Sequence, residues 1–260
     1  MVGELRIKGV TKRFPREKEE DLIALDRVNL EIEAGSFVSL IGPSGCGKST
    51  LLRLIAGLEA ANEGEILLDG EKISGTSYER GLVFQDPTLF PWLNIHDNVA
   101  FGLKARHIYG QNKALVQEYI HLVGLGGFEK SYPHQLSGGM CQRAALARTL
   151  VGKPKILLLD EPLGALDAFT RMNMQDEILR IQKEESMTMI MVTHDVDEAI
   201  YLSDKVVVMS PRPAKIEEVI DIELGAKPRA RSNQDFLKYR SKILRMLHYG
   251  GDEKEVDYYI

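Results

Sequence analysis

A chain of 260 residues, 44% hydrophobic and 27% charged, has an ordinary globular composition and can bury a full core as one large domain or two closely joined subdomains. Its net charge of −5 gives no reason to expect nucleic acid as the main partner, and no apolar run approaches the roughly 20 residues that span a bilayer. Met1-Val2-Gly3-Glu4 does not open a secretory signal, so any membrane role is expected to be peripheral, while Cys46 and Cys141 match no metal or redox spacing and suit a reducing compartment.

Leu5-Arg6-Ile7-Lys8-Gly9-Val10 alternates as a short strand, a charged turn follows around Arg16 to Asp21, and Val28 to Ile32 reads as another strand of an antiparallel pair. Phe37-Val38-Ser39-Leu40-Ile41 is a compact buried strand running straight into Gly42-Pro43-Ser44-Gly45-Cys46-Gly47-Lys48-Ser49-Thr50. The apolar spacing from Ser49 to Leu58 then predicts a helix ended by Gly57. Gly64 to Gly70 reads as strand and turn, and Gly81-Leu82-Val83-Phe84 as a further strand. From Asp97 to about Leu150 the pattern is helical and polar, with breaks at Gly110 and Gly124 to Gly127. Parallel-strand character returns at Ile156 to Leu159 and at Met189 to Val192. This order predicts an α/β fold whose core receives an inserted helical subdomain at about residues 88–150. Residues 225–260 are expected to form a tail beyond a domain of residues 1–224. Within it, Lys227 to Arg245 carries seven Lys or Arg against the single Asp235. A solvated helix face is the ordinary reading of such a run, and contact with anionic lipid headgroups the alternative.

The loop from Gly42 to Thr50 follows a buried strand and opens a helix, the context that a phosphate-binding P-loop requires. Its glycines let backbone N–H groups turn inward around phosphates, and the helix N-terminus adds a favourable dipole. Lys48 would reach the β- and γ-phosphates of a nucleotide and the Ser49 hydroxyl would bind Mg²⁺. Ile156-Leu157-Leu158-Leu159-Asp160-Glu161 is an apolar strand ending in two carboxylates. Beside a P-loop, Asp160 is expected to hold Mg²⁺ and Glu161 to polarise an attacking water. Gln85 and His194 end two other strands at the carboxyl edge of the sheet, where α/β proteins bind ligands. Gln85 there could sense Mg²⁺ or the water, and His194 could contact the γ-phosphate and fix Glu161. His96, His107, His121 and His248 show no ligand spacing, and Met187, Met189 and Met191 alternate as in a packed strand.

A second glycine turn, Ser137-Gly138-Gly139, begins another helix with Ser137 as N-cap. It presents N–H groups and a positive dipole end to an anion, although the P-loop already occupies one side of the phosphates. A facing copy of the chain could supply Ser137 and Gly138 to the γ-phosphate and bury ATP between the two.

The order of P-loop, Gln85, Leu136-Ser137-Gly138-Gly139-Met140, Leu157-Leu158-Leu159-Asp160-Glu161, Ala165-Leu166-Asp167 and Thr193-His194-Asp195 resembles the ATP-binding subunit of ABC transporters over about residues 4 to 220. The resemblance implies a P-loop NTPase cassette: a RecA-like core, an antiparallel β subdomain and an inserted helical subdomain. It also implies that Asp167 lies in the loop linking two sites across a dimer and that Phe14 stacks on adenine. Phe84 to Trp92, Asn98 to Leu103, Tyr132 to Gln135, Gly164 to Ala168 and Tyr201 to Pro213 resemble the nitrate, sulfonate and taurine importer ATPases more narrowly. Leu163 stands where that group usually has Phe, and Cys141 where it usually has a basic residue, neither at a phosphate-contacting position.

The implied function is ATP hydrolysis at two shared sites of a homodimer, with ATP and Mg²⁺ as cofactors. The chain would drive separate transmembrane permease subunits from the cytoplasmic face of the membrane, and act indirectly with a solute-binding protein, for a small anionic or organic solute. The permease contact is expected near Gln85 to Trp92, where Leu89, Phe90 and Trp92 form an apolar knot that could instead be core. A soluble, non-transport ABC ATPase is the alternative, although those generally carry tandem cassettes or a coiled-coil insertion. A P-loop kinase or GTPase would lack the Ser137 turn.

Overall fold

Strands β1 (Leu5–Phe14) and β2 (Leu22–Ile32) pair antiparallel and are longer than their alternation predicts, because register shifts between Ile7 and Arg13 interrupt the period of two. The computed structural model describes residues 3–17, 20–164 and 166–247, so Ala165, His248 and the rest of the tail lie outside the described residues. β3 (Phe37–Ile41) is buried at every residue and leads through the P-loop into α1 (Lys48–Ala56). β4 (Glu63–Leu68) and β5 (Glu71–Lys72) complete an antiparallel sheet ordered β2-β1-β4-β5.

After β6 (Arg80–Val83) the chain leaves the sheets and forms α2 (Ile95–Ala105), α3 (Lys113–Leu122) and α4 (Gly138–Leu150). It returns through β7 (Ile156–Asp160), α5 (Ala168–Glu185), β8 (Thr188–Val192), α6 (Val196–Leu202), β9 (Lys205–Met209) and β10 (Ile216–Asp221). These strands join β3 and β6 in a six-stranded sheet ordered β10-β9-β3-β8-β7-β6, parallel throughout except for the edge strand β10. Parallel strands end along one edge, so the residues after β3, β6, β7, β8 and β9 emerge side by side.

The same sheet divides two cores. Ile156 and Leu158 of β7 face a cluster built with α1 and the antiparallel sheet, whereas Leu157 and Leu159 face one built with the inserted helices, α5 and α6. The second cluster also receives Phe236 and Ile243 of α7 (Gln234–Met246), so one face of this basic helix is buried. Its charges meet acids: Arg240 Nε lies 3.0 Å from Asp197 and Lys238 Nζ 2.8 Å from Asp235. Just before α7, buried Arg229 donates to the carbonyls of Ile200, Ser203 and Ile222. No helix among the described residues is long and apolar enough to cross a membrane.

Candidate active site

The P-loop is held open by backbone geometry. Gly47 adopts φ 130°, and a Cβ there would stand 2.9 Å from Leu25 Cδ2, so only glycine lets the loop lie against the antiparallel sheet. Gly47 is also the N-cap of α1 and contributes no side-chain cap, leaving the first-turn N–H groups and the positive dipole end for an anion. Lys48 is buried, and its ammonium donates to the carbonyls of Gly42 at 2.8 Å and Pro43 at 3.0 Å. Cys46 is buried beneath the loop with Sγ 3.9 Å from that ammonium, so its side chain packs inward and only its backbone belongs to the loop. A cleft of about 260 Å³ runs beside Ser44, Gly45, Gly47 and Lys48–Thr50, with Phe14 on its wall and Glu161 at its other end.

The carboxyl ends of β6, β7 and β8 bring the next residues to this cleft. Ser49 Oγ donates to Asp160 Oδ1 at 2.9 Å, joining α1 to the end of β7. Burial pushes the Asp160 carboxyl up; the Ser49 hydrogen bond opposes this and the neighbouring Glu161 charge adds to it. Glu161 takes φ 47°, a left-handed conformation that costs a side-chain-bearing residue about 1–3 kcal/mol. That turn aims its carboxylate at two partners: Gln85 Nε2 donates to Glu161 Oε2 at 3.1 Å, and His194 Nδ1 lies 3.4 Å from the same oxygen. Gln85, Glu161 and His194 therefore converge as the strand ends predict, with His194 largely exposed.

Ser137, Gly138 and Gly139 do not line the P-loop cleft. Ser137 caps α4 by accepting a hydrogen bond from Met140 N at 3.3 Å, and Ser137 and Gly138 are exposed. A Cβ on Gly139 would stand 2.7 Å from Leu166 Cδ2, so the turn abuts the segment that precedes α5. There Asp167 caps α5 by accepting from Thr170 N at 3.0 Å, and hydrogen bonds from Thr170 hold its carboxyl low.

Three residues with site-shaping contacts escape sequence reasoning. Arg212, in the turn after β9, donates from Nε to the P-loop carbonyl of Gly45 at 3.0 Å and lines the nucleotide cleft. A basic residue just beyond an apolar strand of the central sheet is the signal that could have placed it at the ligand edge. On α4, Gln142 Nε2 donates to Phe84 O at 3.0 Å. One turn and a half further on, Arg148 donates to Pro87 O at 3.1 Å and Thr88 O at 2.9 Å. Burial lowers the Arg148 pKa without a carboxylate to offset it. Both grips fall on backbone carbonyls distant in sequence, for which no motif exists. They tie the helix of the second glycine turn to the Gln85 loop within one chain. That loop continues into the apolar knot, where Phe90 packs 4.4 Å from Phe101 and 5.5 Å from Trp92 between ring centroids. Trp92 is 71% exposed while Leu89 packs against the main core, so the knot is core at its inner end and a surface feature at its outer one.

A P-loop at the edge of a parallel sheet, with a carboxylate pair at the end of β7 and an inserted helical unit carrying a second glycine turn, defines a nucleotide-hydrolysing cassette. The ABC transporter family model matches residues 25–164, and the chain belongs to that family. It is similar to the aliphatic sulfonates import ATP-binding protein SsuB of Bacillus cereus, at 49% identity over 94% of this chain and 96% of that one. The bicarbonate transport ATP-binding protein CmpC of Synechococcus elongatus is 45% identical over 93% of this chain and 38% of its own longer length. Among solved structures, a dimeric ATP-binding cassette in a post-hydrolysis state with ADP and Pi matches with a TM-score of 0.76 and 31% identity, over 84% of this chain and 99% of that one. The α/β cassette fold expected from the motifs is the fold observed, and the chain is an ABC-type ATPase.

Proposed function

We propose that this ATPase energises an importer of a small anionic solute of the sulfonate or bicarbonate kind, hydrolysing ATP at two sites shared between two copies of the chain. The observation that carries the shared site is the placement of Ser137–Gly139 outside the P-loop cleft: each chain holds two glycine turns at helix starts, but not in one site. The dimeric, ADP- and Pi-bound cassette to which the chain is similar supports this reading.

In the proposed cycle the N–H groups of the loop from Gly42 to Thr50 surround the phosphates, Lys48 turns from its loop carbonyls to the β- and γ-phosphates, and Phe14 stacks on the adenine. Ser137 and Gly138 of the other copy close on the γ-phosphate, and Asp167 lies in the loop that joins the two sites. Glu161 orients the attacking water, and His194 contacts the γ-phosphate while holding Glu161 in place. Mg²⁺ fits Ser49, Asp160 and Gln85, because it favours one or two hard oxygen ligands supplemented by phosphate and water, and Ser49 and Asp160 already meet at 2.9 Å. Among the described residues no cluster of three or more His, Cys, Asp or Glu offers a competing metal site. Bound there, the ion would neutralise charge on the phosphoryl oxygens.

The exposed Trp92 end of the Gln85 loop is proposed to meet the permease subunits at the cytoplasmic face of the membrane, with the solute-binding protein acting from the other side. Residues 1–224 would form the catalytic unit and residues 225–260 an appended basic segment. The test uses Glu161→Gln. With Mg²⁺ and saturating ATP the variant should form a dimer by size-exclusion chromatography with light scattering, while hydrolysis falls by about 100-fold or more. A variant that stays monomeric overturns the shared site.

A further inference from the structure

Arg231 lies outside the nucleotide cleft, on the segment between β10 and α7, yet a run of contacts leads from its guanidinium to the turn that carries His194, which lies beside Glu161. Arg231 donates to Gln175 Oε1 on α5 and stacks with its guanidinium carbon 4.2 Å from the centre of the Tyr201 ring. Gln175 is 1% exposed and donates through Nε2 to Glu198 Oε1 at 3.1 Å. Glu198, 5% exposed in the first turn of α6, sits beside Thr193, whose hydroxyl holds the Glu198 carboxyl down against the effect of burial. That hydroxyl accepts in turn from Asp195 N at 3.0 Å, so Thr193 and Asp195 are pinned on either side of His194. Glu198, His194 and Glu161 line one small cavity of about 40 Å³.

The network is not needed to build α6. Asp195 already caps that helix by accepting from Glu198 N at 3.1 Å. A carboxylate sunk in the protein is costly to folding, and a well-packed apolar side chain would serve stability at least as well. What a fully hydrogen-bonded buried network supplies is a unique geometry for the groups it touches. Here that geometry is the turn from which His194 reaches Glu161. The far end is fixed as well, because Arg229, two residues before Arg231, anchors the segment to three carbonyls of the core.

We propose that Arg231 is a positioning residue for ATP hydrolysis: through Gln175 and Glu198 it sets the Thr193–Asp195 turn and hence the approach of His194 to Glu161. This rests on the roles given above to Glu161 and His194. None of Arg231, Gln175 and Glu198 lines the P-loop cleft, so the link governs turnover and leaves nucleotide binding alone.

The test is steady-state ATPase kinetics on the full chain with Arg231→Ala, Arg231→Lys, Gln175→Ala and the Arg231→Ala/Gln175→Ala double variant. Arg231→Ala should lower kcat on the order of tenfold with KM for ATP unchanged, and Arg231→Lys, which can still donate to Gln175, should recover most of it. The double variant should be no slower than Gln175→Ala alone, because both changes cut one chain of contacts. Losses that multiply in the double variant, or a raised KM with kcat intact, overturn the proposal. If Gln175→Ala does not fold, the split between kcat and KM in Arg231→Ala and its rescue by lysine decide the matter. Glu161→Gln is assayed beside them: wild-type turnover in that variant means the site itself was misread, whereas slow Glu161→Gln with an unaffected Arg231→Ala rejects the link alone.

Discussion

The two glycine turns of this chain offer the same chemistry in opposite states of completion. Around the P-loop, Lys48 and Cys46 are buried, Gly47 is packed against Leu25, and Ser49 is bonded to the end of a neighbouring strand. Around Ser137 the corresponding groups face outward, with one capping bond and one glycine against Leu166. The difference is affordable because N–H groups at an exposed helix start are satisfied by water, whereas those of a buried loop are not. A preformed turn can bind on its own. An open one becomes a site only when another surface covers it, which makes association and ligand capture a single event.

That contrast can be broken at either turn. Ser137→Arg should produce the largest effect: the exposed position admits the longer side chain in the monomer, but the proposed γ-phosphate contact across the dimer would be lost. Hydrolysis should fall by about 100- to 1,000-fold while ATP binding to the monomer, followed by fluorescent-nucleotide titration, stays within about twofold. Loss of monomer binding would mean the two turns are not separable. Lys48→Ala should act in the reverse sense, weakening monomer affinity by about 10- to 100-fold through loss of its charge-assisted hydrogen bonds. An unchanged affinity would remove Lys48 from the phosphates.

The smallest effect concerns the ground between the strand ends. Burial raises the Glu198 carboxyl above its ordinary value, against the hydrogen bonds from Thr193 and Gln175; the nearby charges are Asp195, which adds to the rise, and Arg171, which opposes it. A carboxyl raised on folding stabilises the fold at low pH, and that contribution is lost as pH rises through its folded value. Glu198→Gln removes the loss, so its melting temperature should exceed the wild type at neutral pH. The advantage should vanish as pH is lowered toward the ordinary glutamate range. An advantage that is constant with pH would show the carboxylate is not strained by burial.

What could be read from the chain follows the same division. Phe37–Ile41 and Ile156–Asp160 are short, wholly buried strands whose ends carry the site, and a continuous apolar run before a polar turn marks them plainly. Gln85 and His194 were legible for that reason. β10 was not, because Glu217, Glu218 and Asp221 interrupt it as an edge strand with one solvated face. The basic segment hid its helix packing for a similar reason: Phe236 and Ile243 are a narrow apolar pair among seven Lys or Arg. Gln142, Arg148 and Arg231 were illegible on physical grounds, since each is defined by a partner 56 to 61 residues away.

The Arg148 grip has a consequence for how such a subunit diversifies. Its guanidinium holds the carbonyls of Pro87 and Thr88, atoms that every amino acid possesses. The loop's position is thereby uncoupled from the identity of its outward side chains. An outward side chain such as Trp92 can then change without moving the strand end at Gln85, which keeps its place beside Glu161.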